Sequence, residues 1–242
     1  MGPMLRLSLR QMAGRRRLLL LVALAAIPVV LAVILNAFLS DEEDFNEGFT
    51  NLIIDGLLIS AIMPIVVMTL ATSAFGNEVE DRTLNVLMLK PVSRYAIVFP
   101  KLLGSVLVAG PLMAGAGVIV AVIALGDGGV RALLAVGLSL TAGVVAYAAM
   151  FTWAGLISSK ALAFALVYVF LWESLLTSFF SGIRFLSIRG YALGILNGVD
   201  GVTFVSIENR VVGLTTAIVG TVLVTVVFGL LTVRRLQRMD VQ

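Results

Sequence analysis

The sequence predicts an all-helical integral membrane protein with six transmembrane helices, and three observations support this fold class. First, 60% of the 242 residues are hydrophobic and 13% are charged, with a mean hydropathy of +1.09, whereas about 25% of the residues in a soluble domain are charged. Second, six apolar runs each reach the roughly 20 residues that a spanning helix needs. Third, Lys and Arg collect in alternate connections between these runs.

The six apolar runs define the predicted spans within a single transmembrane domain, residues 1–242. They cover residues 18–39, 52–75, 102–125, 132–157, 161–180 and 212–233. The first run begins like a secretory signal peptide, with a basic flank and the sequence Ala23-Leu24-Ala25. Only Leu18–Val22 separates the arginines from that site, which is shorter than the 7–15 residues of a signal core. We therefore expect a retained helix.

The distribution of basic residues predicts that both ends of the chain lie in the cytoplasm. Cytoplasmic connections of membrane proteins carry the excess of Lys and Arg. Here the N-terminal flank, the second and fourth connections and the tail at 234–242 hold thirteen of the 17 basic residues. The first outer connection has no basic residue and five acids: Asp41, Glu42, Glu43, Asp44 and Glu47.

Three further features lie at or near the ends of the predicted spans. Residues 1–17 are basic with interleaved apolar residues, which fits either an interfacial helix or a positively charged topology anchor. Asp55, close to the outer end of the second run, is expected to reach water at the membrane interface. The last outer connection, residues 181–211, is half apolar and is expected to form short interfacial or re-entrant helices, with turns at Asn197-Gly198 and Asp200-Gly201.

The composition excludes several kinds of chemistry. The chain has no cysteine and no histidine, which removes disulfides, the usual zinc sites, cysteine nucleophiles and histidine acid–base catalysis. It also lacks the G-x-x-x-x-G-K-[ST] phosphate loop, the G-x-S-x-G elbow and H-E-x-x-H. The basic residues lie at membrane borders, so we expect no nucleic-acid partner.

The cytoplasmic connection at residues 76–101 is the most informative segment. Asn77 is suited to cap a helix, with Glu80 as its capping-box partner. Glu78 and Arg82 are spaced as a favourable i,i+4 ion pair. The apolar residues that follow predict a short amphipathic helix, and two readings of it stay open. It is either a helix on the membrane surface or a lever that a cytoplasmic partner moves.

Proline and serine mark the end of this helix and the start of the next one. Pro91 cannot continue a helix, so the short helix is expected to end near Leu89 or Lys90. Ser93 is then placed to cap the helix that runs into the third span.

This segment resembles the signature of type-2 ABC exporter permeases, in which an acidic stretch leads into Thr-Leu, a leucine-rich turn and Pro-Val-Ser-Arg. The matching residues are Glu78, Glu80, Asp81, Thr83, Leu84, Leu87, Leu89, Pro91, Val92, Ser93, Arg94 and Lys101. Leu171-Trp172-Glu173 in the fifth run is similar to a Trp-Glu pair of the same family. The six-span arrangement covers the whole chain and fits the family as well.

The resemblance implies a permease subunit in the plasma (inner) membrane of a prokaryote. Two separate cytoplasmic ATPase subunits would bind ATP and Mg, so this chain would be no enzyme and hold no cofactor. The permease would pair with a second copy or a paralogue, and residues 181–211 would form an outer cap. The residues implied to couple the ATPase are Asn77, Glu78, Glu80, Asp81, Arg82, Thr83, Leu84, Leu87, Pro91, Ser93 and Arg94.

Glu173 is the one acid deep inside a predicted span. A charge there costs roughly 2.5–3.5 kcal/mol on insertion scales, so its side chain is expected to face protein or water. Two roles stay open: a residue of the pathway or gate, and a structural acid bonded to a neighbouring helix.

Three other function classes compete with the permease. A secondary transporter would normally show paired intramembrane charges and broken helices in two halves, whereas Glu173 stands alone in its span. A membrane enzyme conflicts with the missing His, Cys and clustered acids. A non-transporting membrane anchor of a larger complex remains an alternative.

Overall fold

The computed structural model describes residues 8, 14–39, 45–80, 93–125, 129–158, 160–176 and 181–238. Within these ranges the chain is helical and forms no strand. The all-helical prediction is therefore confirmed for the described part of the chain.

The described residues form a series of helices. In chain order they are α1 (Arg15–Leu39), α2 (Phe45–Phe49), the π-helix π1 (Thr50–Ile62), α3 (Met63–Glu80), α4 (Arg94–Leu125), α5 (Gly129–Ile157), α6 (Ala161–Val167), the π-helix π2 (Tyr168–Leu176), the 3-10 helix η1 (Ser181–Leu186), α7 (Ile188–Val199), the 3-10 helix η2 (Val205–Arg210) and α8 (Leu214–Arg238).

Five helices in the described residues are long and apolar enough to cross a membrane. They are Arg15–Phe38, Glu47–Gly76, Arg94–Leu125, Gly129–Ile157 and Leu214–Arg238. They coincide with five of the six predicted spans. The remaining predicted span, residues 161–180, corresponds to a shorter apolar helix, Ala161–Glu173, and residues 177–180 lie outside the described part. The chain is thus a multi-pass membrane protein, and the count of six remains a prediction.

Helix α5 forms the centre of the bundle and packs against α3, α4, α7 and α8. Small residues allow this close packing. A side-chain carbon at Gly155 would overlap the backbone of Thr72 on α3, and one at Gly143 would lie 2.7 Å from the sulfur of Met63. Helices α1 and α8 lie at the periphery and leave most of their apolar side chains exposed, as expected of helices that face lipid.

Helix α7 is a short helix packed against α5 and α8. Its residues Gly190–Leu196 are buried, and Ser139 of α5 donates a hydrogen bond of 2.8 Å to the carbonyl of Ala192. Residues 181–211 thus contain short helices, and α7 among them is buried against the bundle. The turn predicted at Asn197-Gly198 is wrong because both residues belong to α7, while Asp200-Gly201 does lie at a turn.

The two ends of the cytoplasmic connection are described, and residues 81–92 between them lie outside the described residues. The helix start predicted at Asn77 is wrong, because α3 continues through Asn77 to Glu80. Lys101 of α4 binds Ala74 and Glu78 on the last turns of α3 and stabilises the helix there. The cap predicted at Ser93 is confirmed, since α4 begins at Arg94 and the N–H of Ala96 donates to Ser93 Oγ over 3.4 Å.

Candidate functional site

Two opposite charges form an ion pair inside the helical bundle. The guanidinium of Arg189 on α7 binds the carboxylate of Asp55 on π1 in a bidentate manner, with Nε to Oδ1 at 2.9 Å and Nη2 to Oδ2 at 2.8 Å. Asp55 is only 5% exposed. The expectation that Asp55 reaches water is therefore wrong, because a partner 134 positions along the chain neutralises it.

Local hydrogen bonds hold Asp55 in position for this pair. Ser60 donates to the backbone carbonyl of Asp55 at 2.7 Å and contacts its Oδ1 at 3.2 Å. The five-residue spacing is that of a π-helix, in which residue i bonds to residue i−5. At the end of π1, the N–H of Met63 donates to the carbonyl of Leu58 with the same spacing.

Glu173 on π2 caps the N-terminus of α7. Its carboxylate accepts hydrogen bonds from the N–H of Ile188 at 3.0 Å and from the N–H of Arg189 at 3.4 Å. The hydroxyls of Ser187 at 2.5 Å and Tyr168 at 2.9 Å also donate to it. The first N–H groups of a helix have no partner within the helix and carry partial positive charge, so they favour a carboxylate at this place.

We call Asp55, Tyr168, Glu173, Ser187 and Arg189 the polar cluster. It joins three elements from distant parts of the sequence: π1, π2 and α7. The two acids lie opposite one guanidinium and one positive helix end, so each negative charge has a positive partner. Such pairing is what allows charged side chains inside a membrane bundle. Both acids also lie in π-helical segments, a geometry that occurs frequently at functional sites.

A second ion pair lies at the other end of the second span, roughly 30 Å away by helix length. Lys101 on α4 binds Glu78 on α3, with 2.6 Å between Nζ and Oε1. The same ammonium donates to the carbonyl of Ala74 and lies 4.4 Å from the ring centroid of Phe75. We call Ala74, Phe75, Glu78 and Lys101 the connector base. It connects α3 and α4, the two helices that flank residues 81–92 in the sequence.

The predicted coupling residues have different outcomes. Glu78 belongs to the connector base, and Ser93 and Arg94 lie at the start of α4. Asn77 and Glu80 lie on the last turn of α3, where their side chains are not described. The remaining coupling residues lie outside the described residues: Asp81, Arg82, Thr83, Leu84, Leu87 and Pro91. Their contact with an ATPase stays a prediction.

Arg189 and Lys101 are the residues whose roles the sequence reasoning missed. In the sequence Lys101 matches only the family motif, although an ammonium at the start of an apolar span needs a nearby acid. Arg189 lies in the half-apolar connection 181–211 and belongs to no motif of the sequence. A signal for both existed, because an unpaired charge within an apolar segment is costly and calls for a partner of opposite sign.

Comparison with known proteins adds one match. The model of a family described as "ABC-2 family transporter protein" matches residues 14–183. The matched range contains α1 to π2, the connector base, Asp55 and Glu173, and it ends before α7. No curated protein matches the chain.

Proposed function

Because the chain belongs to the ABC-2 family of transporter proteins and is a multi-pass permease, we propose that it works as an exporter driven by two separate cytoplasmic ATPase subunits. Those subunits would bind ATP and Mg, and this chain would bind neither. A second permease, either an identical copy or a paralogue, would complete the transporter. The location would be the plasma membrane of a prokaryote, with both termini in the cytoplasm, as the distribution of Lys and Arg indicates.

The connector base is the observation that carries this proposal. An ATPase that moves residues 81–92 can act on the membrane only through the two helices at either end of that segment. The Glu78–Lys101 ion pair and the bond from Lys101 to the Ala74 carbonyl hold these two helices to each other. Since α3 packs against both α4 and α5, movement of the connection would displace the centre of the bundle rather than a single helix.

The polar cluster argues against an ion-coupled secondary transporter. In such proteins an intramembrane acid has to release and rebind a proton or a metal ion during each cycle. Glu173 instead accepts several hydrogen bonds from groups around the start of α7, and Asp55 is held bidentately by Arg189. Within the proposed exporter, Glu173 serves as a structural acid that keeps α7 in place.

Copurification from the native host tests the docking of the ATPase. The tagged chain, extracted in a mild detergent, is expected to bring along a soluble subunit with a phosphate-binding loop, identified by mass spectrometry. The double variant Glu80→Lys with Arg82→Glu should lower its recovery at least tenfold, since charge reversal at an interface costs several kcal/mol. Arg131 lies at the opposite end of the bundle, so the control Arg131→Glu should leave the recovery of the ATPase subunit unchanged.

Two results would contradict this assignment. Unchanged recovery with the double variant would place the ATPase elsewhere on the chain. Recovery of the permease alone, in a detergent that preserves a known ABC complex, would favour the secondary transporter or the membrane anchor.

Breaking the connector base is expected to separate ATP hydrolysis from movement of the spans. In Lys101→Met the ATPase should still copurify and hydrolyse ATP, because the docking segment is intact. The sequence has no cysteine, so where two copies of this chain pair, spin labels at Val130→Cys report the distance between them without background from the permease. The ATP-dependent change in that distance should fall in Lys101→Met to less than half of its value in the parent protein. It should persist in the control Lys160→Met, which removes an exposed lysine. An unchanged response in Lys101→Met would show that the pair does not transmit movement.

A further inference from the structure

A groove at the C-terminal ends of α5 and α8 combines three arginines with an apolar floor. It has a volume of ≈ 390 Å³ and is lined by Trp153, Ile157, Leu231, Arg234, Arg235 and Arg238. We call it the arginine groove. Neither the polar cluster nor the connector base includes any of these residues.

The arginines of the groove have no acidic partner among the described residues. The Lys101–Glu78 and Arg189–Asp55 ion pairs described above include none of these three arginines. Arg234, Arg235 and Arg238 are all exposed and lie within about one turn of α8. Cations at the end of a helix compensate its dipole and anchor the topology. Those roles need no groove, whereas three guanidiniums around a concave surface produce a local positive potential that suits an anion with several oxygens.

The rest of the groove indicates that the anion carries an apolar tail. Ile157 and Leu231 provide aliphatic surface next to the arginines. The Trp153 ring is held by an edge-to-face contact with Phe228, with ring centroids 5.3 Å apart. Tryptophan is enriched where a protein crosses the membrane–water interface. On the same helix, Val227 and Leu223 are exposed and apolar and lie four and eight residues before Leu231. The groove therefore continues along one face of α8 onto a surface suited to acyl chains.

From this combination we propose that the arginine groove binds an anionic phospholipid. The headgroup phosphate accepts hydrogen bonds from the guanidiniums, and an acyl chain lies along Ile157 and Leu231. Basic pockets between transmembrane helices on the cytoplasmic side bind anionic headgroups in this way. The site does not depend on the ATPase or on the direction of transport.

Fluorescence quenching by brominated lipids tests the site directly. The chain has two tryptophans, so Trp172→Phe leaves Trp153 as the sole reporter. This full-length variant is reconstituted with brominated phosphatidylglycerol or brominated phosphatidylcholine in mixtures with the unbrominated lipids. We expect the site near Trp153 to bind phosphatidylglycerol about tenfold more tightly than phosphatidylcholine. The triple variant Arg234→Gln, Arg235→Gln and Arg238→Gln should lower this affinity ratio to about one.

A second triple variant separates a built site from general surface charge. Arg15→Gln, Arg16→Gln and Lys160→Gln remove the same number of charges from exposed positions outside the groove, and this variant should retain the preference. Equal quenching by both lipids in the parent protein, or equal loss of preference in the two triple variants, would overturn the proposal. If the groove variant does not fold, as judged by its circular dichroism, the single variants replace it. Each should then lower the ratio severalfold, and three unchanged ratios would also overturn the proposal.

Discussion

The Arg189→Leu variant is expected to be less stable than the parent by about 3–5 kcal/mol, which is the usual cost of removing one partner from a buried ion pair. The variant leaves the Asp55 carboxylate buried without its bidentate partner. The measurement is the free energy of unfolding in mixed detergent micelles with increasing sodium dodecyl sulfate. Arg131→Leu serves as the control, since Arg131 is exposed and bonds to the carbonyl of Val199. The free energy of unfolding of this control should fall by less than about 1.5 kcal/mol, the range of a single hydrogen bond.

A double variant distinguishes the ion pair from packing of the arginine side chain. Asp55→Leu together with Arg189→Leu removes both charges, so no unpaired carboxylate remains in the bundle. It should recover at least about 2 kcal/mol relative to Arg189→Leu, since replacing both partners of a buried pair by apolar residues is often neutral. A double variant as unstable as Arg189→Leu would mean that Asp55 is neutral in the folded protein or that Arg189 acts through its other contacts.

The Glu173→Leu variant is expected to lose about 3 kcal/mol or more and to loosen α7 selectively. It removes the acceptor for the N–H of Ile188 and for the hydroxyls of Ser187 and Tyr168, and each buried donor without an acceptor costs about 1–3 kcal/mol. Hydrogen–deuterium exchange read by mass spectrometry should show faster exchange in residues 188–199. Exchange in α5 far from this contact should stay near the parent rate.

Glu173→Gln separates a structural acid from a gate. The glutamine carbonyl still accepts from the start of α7, so we expect a loss of only about 1 kcal/mol and an unchanged ATP-driven distance change between the spin labels at position 130. Loss of that distance change with normal hydrogen exchange in α7 would instead support a gating role for the charge.

Features that depend on neighbours in the chain could be predicted from the sequence. The apolar runs of the sequence predicted the five spans of the described residues, with most ends correct to within a few residues. This works because every backbone polar group in lipid has to bond within its own helix, so a span needs one long apolar run. The Ser93 cap was predicted because capping involves the next three residues. The motif around Pro91 indicated the family to which the chain belongs.

The sequence reasoning failed where a local signal competed with packing. Asn77 has the chemistry of a helix cap, yet α3 continues past it because Lys101 binds Ala74 and Glu78 on the last turns of that helix. Residues 188–199 are too short and too polar to be predicted as a span. The helix α7 is nevertheless buried, because Ser139 and the small residues of α5 provide a surface for it.

The sequence alone therefore determined that this protein is a multi-pass helical membrane protein of the ABC-2 family, and where most of its spans lie. Only the tertiary structure decided that Asp55 pairs with Arg189, that Glu173 caps α7 and that Lys101 joins α3 to α4. The reason is that hydropathy and capping act over a few neighbouring residues. The choice of partner for a buried charge instead depends on which distant helices pack together, and here the small residues of α5 bring those helices into contact.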